Sequence, residues 1–212
     1  MTPGHGRLVA LEGVDGSGKS TQARILASSL GAELTFEPGA TELGSALRRL
    51  LLEPDHSAPD VRTEALLMAA DRAQHVAEVI RPALDAGRLV VTDRYSGSTL
   101  AYQGYGRGIP VDELRRLVAW ATAGIEADLS VVVDVPLFVA RRRLAHSSAD
   151  RLERLDEDFF SRVRAGYLEL AAADPARWAV IDGDADVDAV AALVHGVVMQ
   201  RWPTLSSGRG TR

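Results

Sequence analysis

Gly13-Val14-Asp15-Gly16-Ser17-Gly18-Lys19-Ser20 is the stretch that decides how the rest of the chain is read. It follows the spacing G-x-x-x-x-G-K-[ST], with Thr21 next in line. The apolar run Leu8-Val9-Ala10-Leu11 precedes it and a helical pattern from Lys19 to about Leu30 follows, so the motif lies between a buried strand and a helix. That context gives each residue type a physical task. Glycines allow backbone N–H groups to approach phosphate oxygens and point at them. The helix N-terminus adds positive potential for an anion. Lys19 offers a mobile cation to the β- and γ-phosphates of a nucleoside triphosphate, and the Ser20 hydroxyl can ligate magnesium. A glycine-rich turn with no ligand is the blander alternative, and the agreement of strand, spacing and helix argues against it. The motif specifies ATP or a similar donor and leaves the acceptor open.

Outward from this turn, apolar runs alternate with helical patterns. This predicts an α/β fold: a P-loop NTPase-type parallel β-sheet of about five strands, with helices on both faces. After the first strand come Leu34-Thr35-Phe36, Leu89–Asp93, Leu129–Val135 and Trp178–Ile181. Helices are expected over Leu43–Glu53, Thr63–Ala86 with a kink or break at Pro82, Val111–Ala123, Pro136–Leu144, a further segment to Ala173, and Val187–Arg201. No linker or repeat divides the chain, so residues 1–205 read as one domain. An arginine-containing lid is expected over about 141–155, and 206–212 reads as a disordered tail.

Composition narrows the class. A net charge of −5 gives no overall basic field for nucleic acid, so bound phosphate must be held by local charge. The absence of cysteine excludes disulfides and thiolate metal sites. Met1–Arg7 lacks the apolar core of a signal peptide, and no window approaches a membrane span, which leads us to expect a cytoplasmic enzyme. The five histidines show no metal-ligand spacing. His75 reads as a packing or local capping residue, and Trp120, Trp178 and Trp202 as core or interface. Val76-Val79-Ile80 and Leu66-Leu67 form an apolar helix face, mostly core.

A strand-end carboxylate usually helps a P-loop hold its metal. Asp93 and Asp134 both end apolar runs. Asp93 is the expected magnesium partner of Ser20, because Arg94-Tyr95 follows it and a cation there suits a site crowded with phosphates. Asp134 reads as a possible cap for the helix at Pro136.

The order and spacing of further short runs is more specific than any one of them. Leu11–Thr21, Phe36-Glu37-Pro38-Gly39-Ala40-Thr41, Ala70-Asp71-Arg72-Ala73-Gln74-His75, Asp93-Arg94-Tyr95, Ala101-Tyr102-Gln103-Gly104 and Asp150-Arg151-Leu152 occur in turn. In these runs the chain resembles the bacterial thymidylate kinases from about Arg7 to Trp202. The resemblance implies transfer of a phosphoryl group from ATP to dTMP with Mg2+, and a homodimer. It implies that Asp15 lies near the sugar 3′-hydroxyl and the water shell of the metal, and that Glu37, Arg48 and Arg94 surround the acceptor phosphate. It places Arg72 at the thymine carbonyl, Thr99 and Gln103 at the base, and Tyr102 against C2′ of the sugar.

Two positions depart from the common pattern. Phe36 stands where many members have arginine, and is expected beside the sugar or base. Met68 stands where a phenylalanine usually stacks on thymine. A thioether covers a flat ring by dispersion but lacks the aromatic term, worth about 1 kcal/mol. A phosphate monoester is already an adequate nucleophile, so positioning and charge neutralisation matter more than a strong base. Arg48, Arg72 and Arg94 match that need. Gly16 stands where some members carry a P-loop arginine, so another cation is expected from Arg141, Arg142, Arg143, Arg151 and Arg154. Resemblance favours Arg151 at the transferring phosphoryl and Arg143 at the ATP phosphates; for Arg142 and Arg154 a solvated helix face is the favoured reading.

Overall fold

Strands buried on both faces read as unbroken apolar runs, and Leu8, Val9, Ala10 and Leu11 are all fully buried. They belong to β1 (Arg7–Glu12), the central strand of a five-stranded parallel sheet. The others are β2 (Glu33–Phe36), β3 (Leu89–Asp93), β4 (Leu129–Asp134) and β5 (Trp178–Asp182), in the order β2-β3-β1-β4-β5. The computed structural model describes residues 6–53, 59–145 and 155–207.

The two faces of β1 take alternate residues. Val9 and Leu11 join Val91, Val131 and Val133 beneath α1 (Lys19–Leu30) and α9 (Val187–Arg201). Leu8 and Ala10 face the other way, with Val90, Ile80 and Leu84. A third cluster packs Val132 and Val135 with Phe159, Val163 and Tyr167 of α8 (Glu157–Ala173). Each fully buried aliphatic side chain contributes about 1.5–3 kcal/mol. The remaining helices are α2 (Glu42–Leu52), α3 (Val61–His75), α4 (Arg81–Asp85), α5 (Ser96–Thr99), α6 (Val111–Ala121) and α7 (Leu137–Leu144). No helix among the described residues is long and apolar enough to cross a membrane.

The register sets the carboxyl ends of the strands side by side. Leu11 of β1 and Phe36 of β2 both pair with Asp93 of β3, and Glu12 pairs with Val132 of β4. The chain leaves β1 toward β2 and β3 on one side, then crosses to β4 on the other. This is the switch point at which open parallel sheets bind ligands.

Several local expectations are corrected. The long helix does not break at Pro82; a wider π turn, π1 (Val76–Ile80), joins α3 to α4 just before it. Proline has no N–H for the carbonyl four residues back and its ring crowds that carbonyl, and the wider turn accommodates both. Ser96–Gly106, which carried no helical expectation, continues from α5 into a second π segment, π2 (Leu100–Gly106). Its glycines hide a helix in the sequence but are required by packing. A Cβ at Gly97 would lie 2.5 Å from Trp178, and one at Gly106 2.6 Å from Phe159. Asp134 does not cap α7. Arg164 donates to both its oxygens at 2.7 and 2.8 Å, and α7 has no side-chain cap. At the C-terminal end, a 3-10 turn (Pro203–Ser207) reaches two residues into the stretch expected to be without structure; 208–212 lie outside the described residues. So do residues 146–154 of the expected lid, including Arg151 and Arg154.

Candidate active site

Lys19 is buried at the first turn of α1, where its ammonium donates to the Val14 carbonyl and to Asp15 Oδ1, both at 3.3 Å. Burial and the nearby Arg94 charge push its pKa down, against the pull of Asp15. The turn itself is shaped by close approach. Gly16 has φ of 79°, and a Cβ there would lie 2.3 Å from the Ala140 carbonyl of α7. A larger residue at this position would therefore meet the α7 backbone. Arg143 of α7 donates to the Ser17 carbonyl at 3.0 Å and the Gly183 carbonyl at 2.9 Å, fastening the helix to the turn. Gly18 has φ of 96° and serves as N-cap of α1. The Thr21 hydroxyl receives a long bond from Arg24 instead of facing the cavity.

A cavity of about 560 Å3 opens beside this turn. Asp15, Lys19 and Ser20 line one end, with Asp93 and Arg94 alongside. Phe36, Glu37 and Arg48 line another wall, and Met68, Arg72, Thr99, Tyr102 and Gln103 complete it. The structure thus brings to one cavity every proposed acceptor-binding residue, from α2, α3, α5, π2 and the ends of the first three strands.

Arg94 is the junction. It has φ of 71°, which turns its side chain back over the phosphate turn. Its guanidinium forms an ion pair with Asp15 and donates to the Gly13 carbonyl at 3.2 Å, Ser98 Oγ at 3.0 Å and the Tyr102 hydroxyl at 3.2 Å. Burial is the largest influence and opposes its charge, but Asp15, Tyr102, Tyr167 and Asp93 together outweigh it and hold Arg94 protonated. Burial alone would likewise raise the Asp15 carboxyl; Arg94 and Lys19 instead hold it well below the usual carboxylate range. The Tyr102 hydroxyl donates to the other Asp15 oxygen at 2.7 Å. One carboxylate and two cations thus form a fixed array beside the glycine-rich turn.

Arg72 is almost fully buried on α3. It donates from Nε to Glu37 at 2.8 Å, and from its terminal nitrogens to Thr99 at 2.8 Å and the Tyr95 carbonyl at 3.0 Å. Glu37 lies behind this arginine with His75 on its other oxygen at 2.9 Å. His75 also meets Thr35 and is fully buried, so it belongs to the site's supporting network rather than to local packing or capping. Arg48 donates to the Pro38 carbonyl at 2.7 Å, and the Gly39 N–H donates to Asp71 at 2.9 Å. Phe36 is 44% exposed at the rim.

Asp93 and Ser20 both face the cavity, and Asp93 Oδ1 is buried with no hydrogen-bond partner among the described residues. No described group of three or more His, Cys, Asp or Glu could cage a metal. A hydroxyl and one unpartnered carboxylate oxygen fit a magnesium ion that takes its other ligands from phosphate and water.

Sequence reasoning passed over Glu12, which is fully buried and accepts from Tyr95 N, Ser98 N, Ser98 Oγ and the Tyr167 hydroxyl. A charged residue ending an otherwise apolar strand was the available signal. It also passed over Asp71, Ser98 and Tyr167, whose roles depend on distant partners. Arg141 pairs with exposed Glu157, and Arg142 is exposed.

Comparison with known proteins gives a consistent result. The family profile described as thymidylate kinase matches residues 11–194. A thymidylate kinase of Bifidobacterium longum (strain NCC 2705) is 46% identical over 204 residues, covering 92% of this chain and 98% of the relative. One from Solidesulfovibrio magneticus is 49% identical over 203 residues, covering 90% and 97%. The crystal structure of thymidylate kinase from Ehrlichia chaffeensis superposes with a TM-score of 0.73 at 30% identity, covering 93% of this chain and 98% of that one.

Proposed function

This chain belongs to the thymidylate kinase family, transferring the γ-phosphoryl of ATP to dTMP to give dTDP and ADP, and we propose the following division of labour among its residues. The observation that carries the reading is one cavity holding two anion-binding sets, the Lys19–Ser20 turn and the Arg48–Arg72–Arg94 group, joined by the Arg94–Asp15 pair.

The backbone from Gly13 to Gly18, with Val14, Asp15, Gly16 and Ser17 between, cradles the ATP phosphates. Lys19 offsets charge on the β- and γ-phosphates. Ser20 and Asp93 would hold Mg2+, which when bound neutralises charge on the triphosphate. Arg94 and Arg48 hold the dTMP phosphate in line with the donor, lowering the repulsion between two anions. Asp15, fixed by Arg94 and Tyr102, faces the sugar, and the Tyr102 ring crowds C2′ against a ribonucleotide. Thr99, Gln103 and Arg72 meet the base edge while Met68 covers its face and Phe36 closes the rim. Arg143 steadies the turn around the ATP phosphates.

Since Gly16 leaves no room for a side chain in the turn, the cation for the transferring phosphoryl is assigned to Arg151, outside the described residues. Arg151→Ala should lower kcat at least a hundredfold with little change in the dTMP KM, as loss of an arginine acting in the transition state does. Near-normal turnover would remove Arg151 from the mechanism.

A homodimer accompanies this reading. Leu50, Leu66 and Trp120 are 51%, 58% and 81% exposed, on α2, α3 and α6. α3 packs against both α2 and α6, so these side chains lie on adjoining helices.

The test of function is ADP release with dTMP, dUMP, dGMP, UMP and thymidine in turn, with and without magnesium. Fastest metal-dependent turnover with dTMP is expected. Equal release with no acceptor present would indicate a simple ATPase and overturn the assignment.

A further inference from the structure

Gln103 reaches the cavity from π2, but half of its amide is already committed. Its Nε2 donates to Glu64 Oε1 at 3.0 Å. Glu64 lies in the first turn of α3 and is 1% exposed. Arg107, the residue after π2, holds that carboxylate with both arms: Nε to Oε1 at 3.2 Å and Nη2 to Oε2 at 3.0 Å. The Arg107 guanidinium rests over the Phe159 ring, 5.1 Å from its centroid, and its backbone N–H donates to the Tyr102 carbonyl at 2.9 Å.

An amide can ordinarily turn over to suit its partner, exchanging oxygen for nitrogen at little cost. Here it cannot. A carboxylate gripped by an arginine fork has only acceptors to offer, so the Gln103 NH2 must face Glu64. The carbonyl oxygen is then the end presented to the cavity, beside one spare N–H. Gln103 lines the same cavity as Met68, Thr99 and Arg72, and as Lys19 and Ser20 of the phosphate turn.

We propose that Glu64 and Arg107 form a positioning pair that locks the Gln103 amide and thereby selects an imide base, thymine or uracil, over cytosine. An imide edge carries an N3–H donor beside a carbonyl acceptor, which match the Gln103 oxygen and its spare N–H. Cytosine reverses the pattern, setting a bare N3 lone pair against the Gln103 oxygen. A site built to pair a buried polar edge rejects the mismatched analogue strongly, because its own groups are left unsatisfied. Neither Glu64 nor Arg107 need touch the nucleotide; both act through Gln103.

The inference rests on dTMP occupying this cavity, and the experiment separates the two. kcat and KM are measured for dTMP, dUMP and dCMP with the wild-type enzyme and Glu64→Gln. The substituted glutamine can donate as well as accept, so it frees the Gln103 amide to turn. The expected result is a rise in KM for dTMP and dUMP together of about tenfold or more, with kcat nearly unchanged and dCMP unaffected or improved, so that the dTMP/dCMP ratio of kcat/KM collapses at least tenfold. A merely structural role would lower all three alike and leave that ratio intact, which would overturn the proposal. Should Glu64→Gln fail to fold, the other partner decides: Arg107→Lys should keep the ratio and Arg107→Met should lose it, and equal ratios in those two would likewise overturn the proposal. A wild-type enzyme that does not use dTMP would sink the functional reading itself, whereas a dTMP-selective enzyme indifferent to these substitutions would sink only the positioning pair.

Discussion

Arg94 holds a left-handed backbone that a residue with a long side chain adopts only when its surroundings fix it. What fixes it here is the ion pair with Asp15 and bonds to four further partners, none within three residues of it in sequence. The type and position of Arg94 were legible beside Asp93; the reason for its direction was not. Met68 is the reverse case, a departure plain in sequence whose side chain the structure sets on the cavity wall. Met68→Phe should restore aromatic stacking worth about 1 kcal/mol, lowering the dTMP KM roughly fivefold in steady-state assays; an unchanged or higher KM would contradict it. Asp71 makes a pH prediction. Burial, helped by Glu37, pushes its carboxyl from 3.8 up to about 6, against the Gly39 N–H, Arg72 and His75. Below about pH 3, folded and unfolded chains are both largely protonated there. As pH rises toward 6 the unfolded chain releases the proton first, so this group's contribution to stability declines and stays lowest above 6. Asp71→Asn can still accept from Gly39 without a charge. Its melting temperature relative to wild type should therefore be higher at pH 8 than at pH 4, and a pH-independent difference would show that the carboxyl is not perturbed as described.

Among the elements, those with an unbroken period were readable: α1 and α9 begin and end where the pattern placed them. The segment Ser96–Gly106 was not, because Gly97, Gly104 and Gly106 weaken the helical signal. They are glycines because Trp178, Leu114 and Phe159 press against the backbone, a fact that exists only once β5, α6 and α8 are in place. The same logic governs the phosphate turn and α7. Gly16→Ala would place a Cβ against the Ala140 carbonyl in a left-handed conformation, so either the turn or α7 must shift. ATP affinity measured by calorimetry should fall at least tenfold while dTMP affinity changes less; equal losses of both would mean that the turn and the acceptor wall deform together.

For the whole molecule, the sheet order assembles the site. β1 sits between β3 and β4, so the turn after β1 meets Asp93 on one side while Glu37 follows from β2 beyond it. The proposed dimer belongs to this scale as well. If the faces of α2, α3 and α6 meet a second copy, Leu66→Glu should convert a particle of twice the chain mass into a monomer in light-scattering chromatography. A wild-type monomer at micromolar concentration would end that assignment.

Local chemistry alone settled the parallel α/β architecture and the strand–turn–helix form of the glycine-rich segment, whereas the residues proposed around the acceptor came from resemblance. Backbone–phosphate geometry and burial of continuous apolar strands constrain short segments directly. Tertiary structure decided the rest: the direction of Arg94, the burial of Glu12 and His75, the pairing of Asp134 with Arg164, and the lock on Gln103 by Glu64 and Arg107. Each of these depends on a charge or hydrogen bond between residues far apart in the chain. Such a partner has no local signature, because a buried polar group is satisfied by whatever the fold brings within about 3 Å of it.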